Sequence, residues 1–216
     1  MSTNQISGID VSKWQGSVNW QSVRQAGVAF AFARATYGIS VADSCFDNNW
    51  PAMKAAGIIR GAYHFFLATE DPTQQAEFFI RTVGSLEPGD LPPVIDVEGG
   101  SGTSSSLVAN VQTWLSVVEQ GLGRRPIIYT GPSYWNANLT SAFGDYSLWV
   151  AEYGVSSPKA VNGWSNWTFW QYSSTGSVSG VNGAVDLDYF NGTSEALAEF
   201  VSASNITTEP VSAGSK

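Results

Sequence analysis

The stretch 91–98, with the sequence LPPVIDVE, constrains the fold most strongly. An apolar run with β-branched residues, entered through two prolines and followed by Gly99-Gly100, predicts a short buried strand. Because side chains alternate along a strand, Asp96 and Glu98 are expected to point the same way, with Cα atoms about 7 Å apart. Two acids this close are costly to ionise together. They indicate either a chemical site or an ordinary solvated pair at a strand end.

Other runs predict seven further strands, at 8–12, 28–35, 58–66, 126–130, 146–153, 167–172 and 183–189. Helical patterns occur at 18–26, 47–56, 71–84, 106–120 and 193–203. Strand–helix alternation implies a parallel sheet. Eight strands in 216 residues therefore predict an α/β fold, an irregular (β/α)8-like barrel with some helices missing in the second half. The alternative is an open doubly wound sheet, but no Gly-rich phosphate loop follows the first strand.

Length and composition narrow the class of protein. A chain of 216 residues predicts one barrel domain over 1–204, followed by a polar tail or linker over 205–216. The net charge of −8, without a run of Lys or Arg, argues against a nucleic-acid partner. One cysteine and one histidine exclude an internal disulfide and a multi-His zinc site. We expect no cofactor and no bound metal.

The sequence also contains no apolar run long enough for a membrane span, and its first residues lack the charged and apolar regions of a signal peptide. We expect a monomer that works outside the cell or after release at host lysis.

In a barrel of this type the active site lies where the strands end. Acids at the predicted ends are Asp10, Asp96, Glu98, Glu152 and Asp186, with Asp188 as a further candidate. Aromatic and histidine side chains at the same ends are Trp14, Tyr63, His64, Tyr129, Trp149, Trp170 and Tyr172. An acidic floor with aromatic walls suits an uncharged, ring-shaped substrate and acid/base chemistry. Glycoside hydrolysis has these requirements, because it needs one protonated acid and one carboxylate.

Short motifs follow one another along the chain in a specific order. They are GIDVS at 8–12, WQG at 14–16, FARAT at 32–36, GAYHF at 61–65, DVE at 96–98, WVAEY at 149–153, WQY at 170–172 and VDLD at 185–188. Each motif alone is weak, but the ordered set resembles glycoside hydrolase family 25, the Chalaropsis-type lysozymes or N-acetylmuramidases. The resemblance covers residues 6–200 and implies an irregular β/α barrel.

The resemblance also implies an activity, cleavage of the β-1,4 bond between N-acetylmuramic acid and N-acetylglucosamine in peptidoglycan. Glu98 matches the family's general acid, and Asp96 would act as nucleophile or, as the resemblance favours, assist attack by the substrate's own N-acetyl group. Asp10 and Asp186 match the other active-site acids. The family often has Asn where this chain has Asp188, which leaves open whether Asp186 or Asp188 faces the site, although Asp186 fits the motif better.

Further expectations concern the surroundings of these acids. Repulsion from Asp96 would keep Glu98 protonated at neutral pH. Arg34 would neutralise the buried acids. The candidate sugar-binding aromatic residues are Tyr63, Tyr129, Trp149, Trp170 and Tyr172.

Two other functions remain open from the residues alone. Clustered acids also bind Mg²⁺ or Ca²⁺, which would suit a metal-dependent hydrolase. A non-catalytic glycan-binding barrel would need the aromatic residues but not Glu98.

Overall fold

Eight strands close into a barrel in the computed structural model, which describes residues 5–99, 104–139 and 141–203. Around the ring the strands are β1 (Ile6–Val11), β2 (Phe30–Tyr37), β4 (Ile59–Phe65), β5 (Val94–Asp96), β6 (Ile127–Thr130), β7 (Ser147–Ala151), β8 (Phe169–Gly176) and β9 (Val185–Phe190). A two-residue strand, β3 (Val41–Ala42), pairs with the end of β2 outside the ring. The predicted barrel is confirmed, and the open sheet is not formed.

Six α-helices lie in the described part of the chain: α1 (Trp20–Gln25), α2 (Phe46–Ala55), α3 (Pro72–Val83), α4 (Ser104–Leu122), α5 (Pro132–Asn138) and α6 (Ser194–Ala203). Five match the sequence prediction. The local chemistry explains why: the Asp71 side chain caps α3 by accepting the Gln74 N–H at 2.8 Å, and Pro72 occupies the first helical position. None of the described helices is long and apolar enough to cross a membrane.

Helices are missing in the second half of the barrel, as predicted. No α-helix lies between β7 and β8 or between β8 and β9, where every residue is described. The short helix α5 after β6 was not predicted. It has seven residues, too few for an apolar repeat to be recognised in the sequence. The predicted tail at 205–216 lies outside the described residues.

The last strand corrects the expectation of a wholly parallel sheet. Strands β1, β2 and β4 to β8 run parallel to their neighbours in the order of the chain, but β9 runs antiparallel to both β8 and β1. Only residues 177–184 join β8 to β9. A connection this short returns the chain as a hairpin, because a parallel strand needs a crossover of about a dozen residues or more.

Side-chain alternation separates two cores. Residues that point outward from the strands pack with the helices in a large outer core, which includes Ile9, Ile95 and Trp114. Residues that point inward fill the barrel with apolar and aromatic side chains. These are chiefly Phe30, Phe32, Val94, Ile127, Tyr129, Trp149, Phe169 and Phe190. This interior packing supports the end of the barrel where the acids lie.

Glycines make room for two of the interior rings. A Cβ atom at Gly8 would lie 2.2 Å from the ring of Phe30, and one at Gly61 would lie 2.4 Å from the ring of Phe32. Both glycines therefore serve close packing inside the barrel.

The end of the barrel away from the acids carries a buried ion pair. Arg60 contacts Asp90 through Nε to Oδ1 at 2.9 Å and through Nη2 to Oδ2 at 3.0 Å. The same guanidinium donates to the Trp50 carbonyl at 2.9 Å and lies 4.0 Å from the centre of the Trp50 ring. Because all of these donors and acceptors are paired, the buried charges are compatible with a stable core.

Candidate active site

Four acids converge on one cleft of about 310 Å³ at the end of the barrel where the parallel strands finish. Asp10 lies near the end of β1, Asp96 ends β5, and Glu98 follows two residues later. Asp186 comes from the start of β9, which meets the same end of the barrel because β9 runs in the opposite direction. The cleft therefore brings together the four acids predicted as catalytic.

Backbone hydrogen bonds hold the Asp96–Glu98 segment between its neighbours. The Phe66 N–H donates to the Asp96 carbonyl at 3.0 Å, and the Val97 N–H donates to the Tyr129 carbonyl at 2.9 Å. Asp96 is buried, and its Oδ1 has no hydrogen-bond partner among the described residues. Glu98 is exposed at the mouth of the cleft. The two acids thus have different surroundings: Asp96 is buried at the bottom of the cleft, and Glu98 is accessible at its mouth.

The cleft makes both acids harder to ionise than in water. Burial raises the pKa of Asp96 well above its usual value, the charge of Glu98 raises it further, and Arg34 opposes both effects. The cleft walls raise the pKa of Glu98 by partial desolvation, the polar hydroxyl group of nearby Tyr129 lowers it, and the charge of Asp186 raises it. We expected repulsion from Asp96 to protonate Glu98. In the structure the effects that raise the pKa of Glu98 are desolvation and Asp186.

Gln171 links Asp10 to two tyrosines. Its Oε1 accepts the Tyr129 hydroxyl at 2.8 Å and the Tyr153 hydroxyl at 2.5 Å, and its Nε2 donates to Asp10 Oδ2 at 2.6 Å. Because the hydroxyls donate to the amide oxygen, the amide nitrogen must face Asp10. The sequence analysis missed Gln171 and Tyr153, although both lie in the WQY and WVAEY motifs.

The structure distinguishes Asp186 from Asp188. In the β1–β9 ladder Asp186 pairs with Asp10, whereas Asp188 pairs with Gly8, one layer deeper in the barrel. Asp186 is half-buried and lines the cleft. Asp188 is fully buried and accepts a hydrogen bond from Trp149 Nε1 at 2.8 Å. Asp186 is therefore the residue that faces the cleft.

Arg34 has a partner that the sequence analysis did not consider. Its Nε and Nη2 lie 2.9 Å and 2.8 Å from Asp43 Oδ2. The buried Asp43 also accepts the backbone N–H groups of Lys13 and Cys45, each at 3.0 Å. Arg34 lines the cleft but is ion-paired with Asp43 rather than with the predicted catalytic acids, so its effect on Asp96 is that of a nearby charge.

Three of the five predicted aromatic residues line the cleft: Tyr63, Tyr129 and Trp149. Trp149 is 2% exposed and stacks on Phe32 at a ring distance of 4.3 Å, so it forms the floor rather than a wall. Trp14, which is 77% exposed, forms part of the rim. It is the most accessible flat apolar surface of the cleft.

Trp170 and Tyr172 do not line the cleft, and their assignment to it was wrong. Gln171 points into the barrel, so the residues on either side of it point outward. Trp170 is buried in the outer core and donates through Nε1 to the Glu152 carbonyl at 2.9 Å. Tyr172 stacks on Tyr189 at a ring distance of 4.1 Å.

Two other residues at the strand ends have structural contacts. Glu152 lies at the rim, where it accepts Lys159 Nζ at 2.8 Å and the Lys159 backbone N–H at 2.6 Å. His64 is buried between the barrel and the helices, with Nδ1 2.7 Å from Thr36 Oγ1 and Nε2 3.1 Å from Gln75 Oε1. Burial lowers the pKa of His64 to about 4, so its ring is neutral at pH 7.

The donor set of the cleft favours acid/base chemistry. Within the described residues, no group of three or more His, Cys, Asp or Glu side chains has the arrangement of a metal site. The cleft instead offers carboxyl groups with raised pKa values beside hydroxyl and amide groups and flat rings. This combination can bind a sugar ring and supply a proton to it.

Comparison with known proteins identifies relatives of the whole barrel. The model of glycosyl hydrolases family 25 matches residues 9–181. Lysozyme M1 of Streptomyces globisporus is 40% identical over 208 residues, which cover 90% of this chain and 71% of that protein. The uncharacterized protein YegX of Escherichia coli (strain K12) is 42% identical over 202 residues, covering 91% of this chain and 73% of YegX.

A solved structure shows the same fold. The crystal structure of the bacterial lysozyme from Streptomyces coelicolor superposes with a TM-score of 0.89 at 37% identity. The superposition covers 94% of this chain and 99% of the lysozyme chain.

Proposed function

The chain belongs to glycosyl hydrolases family 25, and from this membership and the acidic cleft we propose that it is a muramidase. The bond cleaved would be the β-1,4 linkage between N-acetylmuramic acid and N-acetylglucosamine in peptidoglycan. One observation carries the proposal: a buried acid, Asp96, and an accessible acid, Glu98, line one cleft with Asp10 and Asp186. Most glycosidases use a pair of carboxyl groups, one of which carries a proton, beside the bond that is cleaved.

Glu98 is the proposed general acid. Its position at the mouth lets it reach the oxygen that leaves with the departing sugar. Desolvation and the charge of Asp186 raise its pKa, which increases the fraction that carries a proton near neutral pH. After donation, the polar hydroxyl group of nearby Tyr129 stabilises the carboxylate.

Asp96 is proposed to act on the substrate's N-acetyl group. As the amide oxygen attacks the anomeric carbon, the carboxyl group of Asp96 would accept the amide N–H and hold the group in line. Asp96 lines the cleft, so its carboxyl group can contact a bound substrate and accept the amide N–H. Such assistance predicts retention of configuration, so a first-formed sugar with the inverted anomeric configuration in an NMR time course would refute it.

Asp10 and Asp186 are proposed to stabilise the positive charge that develops on the sugar ring. Both lie at the cleft, on paired positions of β1 and β9. A fixed negative potential at this point lowers the energy of an oxocarbenium-like transition state more than that of the neutral substrate. The rim residue Trp14 offers an apolar face for a sugar ring, and Tyr63 lines the wall.

The test is mass spectrometry of fragments released from purified peptidoglycan, after borohydride reduction of the new ends. Reducible N-acetylmuramic acid ends are expected. New N-acetylglucosamine ends would refute the bond assignment, and no fragments from folded protein would favour a non-catalytic glycan-binding barrel.

We also propose that the protein acts as a monomer on peptidoglycan outside the cell or after release at host lysis, and that residues 1–204 form the catalytic domain.

A further inference from the structure

The buried acid Asp188 has an oxygen atom without a partner. The side chain is 0% exposed, one layer below the cleft. Its Oδ1 accepts the Trp149 Nε1–H at 2.8 Å, but Oδ2 has no hydrogen-bond donor among the described residues. A sealed carboxylate oxygen without a donor is costly, because nothing replaces the water that it has lost.

Another carboxyl group lies beside Asp188. In the β1–β9 ladder Asp188 lies opposite Gly8, so it is the diagonal neighbour of Asp10 on the inward face, and the two side chains interact. Two carboxylates at this distance repel, and the contact becomes a hydrogen bond only when one of them carries a proton. Among the ion pairs of the described residues, none neutralises either acid, since the guanidinium of Arg34 is paired with Asp43.

We propose that Asp10 and Asp188 hold one proton between them at neutral pH, carried on Asp188 Oδ2 and donated to Asp10. Asp188 is then a positioning residue: with Gln171 Nε2, 2.6 Å from Asp10 Oδ2, it supplies a second donor that fixes the Asp10 carboxyl group at the cleft. The pair carries one negative charge instead of two, and this charge lies on the member that faces the substrate.

Burial decides which acid carries the proton. Each has one fixed donor, Trp149 for Asp188 and Gln171 for Asp10. Asp188 is completely sealed, whereas Asp10 is 5% exposed and lines the cleft, so a negative charge is less costly on Asp10.

The surrounding groups favour retention of the proton. Burial and like charges raise the pKa of both acids well above the usual value. The titratable side chains that face the pair are Asp186, Asp96, Tyr63, Tyr129 and Tyr153. Tyr172 points outward from the barrel, where partial burial raises its pKa, and the charge of Asp188 still raises it further.

The test counts protons in the variant Asp188→Asn. Asparagine keeps an oxygen for Trp149 and supplies an N–H for Asp10, but it has no titrating proton. In the unfolded wild-type chain both acids are ionised above about pH 5. Wild-type folding therefore takes up one proton at this pair, and stability falls as pH rises through this range.

The free energy of unfolding is measured in urea from about pH 5 to 8, without substrate. We expect the free energy of unfolding of the variant to fall less steeply with pH, by the equivalent of one bound proton. Equal slopes of the free energy of unfolding against pH in the two proteins would overturn the proposal.

Activity provides the second readout. Asp188→Asn is expected to keep most of kcat, whereas Asp188→Val, which offers Asp10 no donor, should lose about 10- to 100-fold while remaining folded by circular dichroism. A folded Asp188→Asn variant as inactive as Asp188→Val would show that Asp10 itself needs the proton, which overturns the assignment to Asp188. This readout rests on the proposed function, but the proton count does not, so an inactive wild-type protein would refute the function alone.

Discussion

Replacing Glu98 with glutamine removes a transferable proton and disturbs little else. The side chain is exposed at the mouth of the cleft, and an amide group of nearly the same shape can occupy its place beside Tyr129. We therefore expect the free energy of unfolding to stay within about 0.5 kcal/mol of the wild-type value. A positioned general acid contributes about 10²- to 10⁴-fold to the rate, so kcat should fall by that factor, or about 2.7–5.4 kcal/mol in the barrier.

The assay measures new reducing ends from purified peptidoglycan, with thermal unfolding measured on the same samples. Glu152→Gln is the matched control, because it makes the same change at the same end of the barrel. Glu152 is held by the ion pair with Lys159 and has no role in the proposed reaction. We expect its kcat to be unchanged.

Two outcomes would refute this reasoning. One is a Glu98→Gln variant that keeps kcat within about tenfold of wild type, since a general acid contributes more than that. The other is an equal loss in both variants, which would mean that the charge at this end of the barrel matters rather than the proton of Glu98. Retained binding of Glu98→Gln to insoluble wall, together with lost turnover, would separate an enzyme from a binding module.

Three other predictions follow from the same structure. Asp186→Asn removes a charge that raises the pKa of Glu98. Glu98 should then lose its proton at a lower pH, so the alkaline limb of the pH–rate profile should move to lower pH. An alkaline limb at the wild-type position would contradict this prediction. Excess EDTA should leave the rate unchanged, whereas a loss restored by Mg²⁺ or Ca²⁺ would favour a metal-dependent hydrolase. Asp90→Asn leaves the Arg60 guanidinium buried without its carboxylate. The free energy of unfolding, measured by urea titration, should fall by about 3–5 kcal/mol. A loss below about 1 kcal/mol would show that the Arg60–Asp90 ion pair contributes no more than an exposed one.

The sequence predicted features that depend on local pattern. The strand ending in Asp96 was recognisable from its apolar run, and the helix that begins after Asp71 from its cap. The convergence of the acids also followed from the pattern, because strands of a parallel barrel finish at one end. The bounds of the strands and helices differ from the prediction by a few residues, as expected where ends depend on hydrogen bonds between strands.

Features that depend on the inward or outward orientation of a strand were harder to predict. Trp170 and Tyr172 were assigned to the cleft because they lie at the end of a predicted strand. Strand β8 carries large apolar side chains on both faces, so its alternation does not show which face is inside. The register of β8 against β7 pairs Phe169 with the inward Trp149 and thereby turns Gln171 inward. Register is a property of the assembled sheet, and the isolated motif does not contain it.

The direction of β9 decides which of its two inward acids meets the substrate. If β9 ran parallel to its neighbours, Asp188 would lie nearer the mouth and Asp186 deeper. The antiparallel direction reverses that order, so Asp186 reaches the cleft and Asp188 is sealed beside Asp10. The eight residues 177–184 are too few for a parallel crossover, so the length of this connection could have predicted the reversal. The short hairpin therefore explains both the acid that completes the cleft and the buried pair that holds the proposed proton.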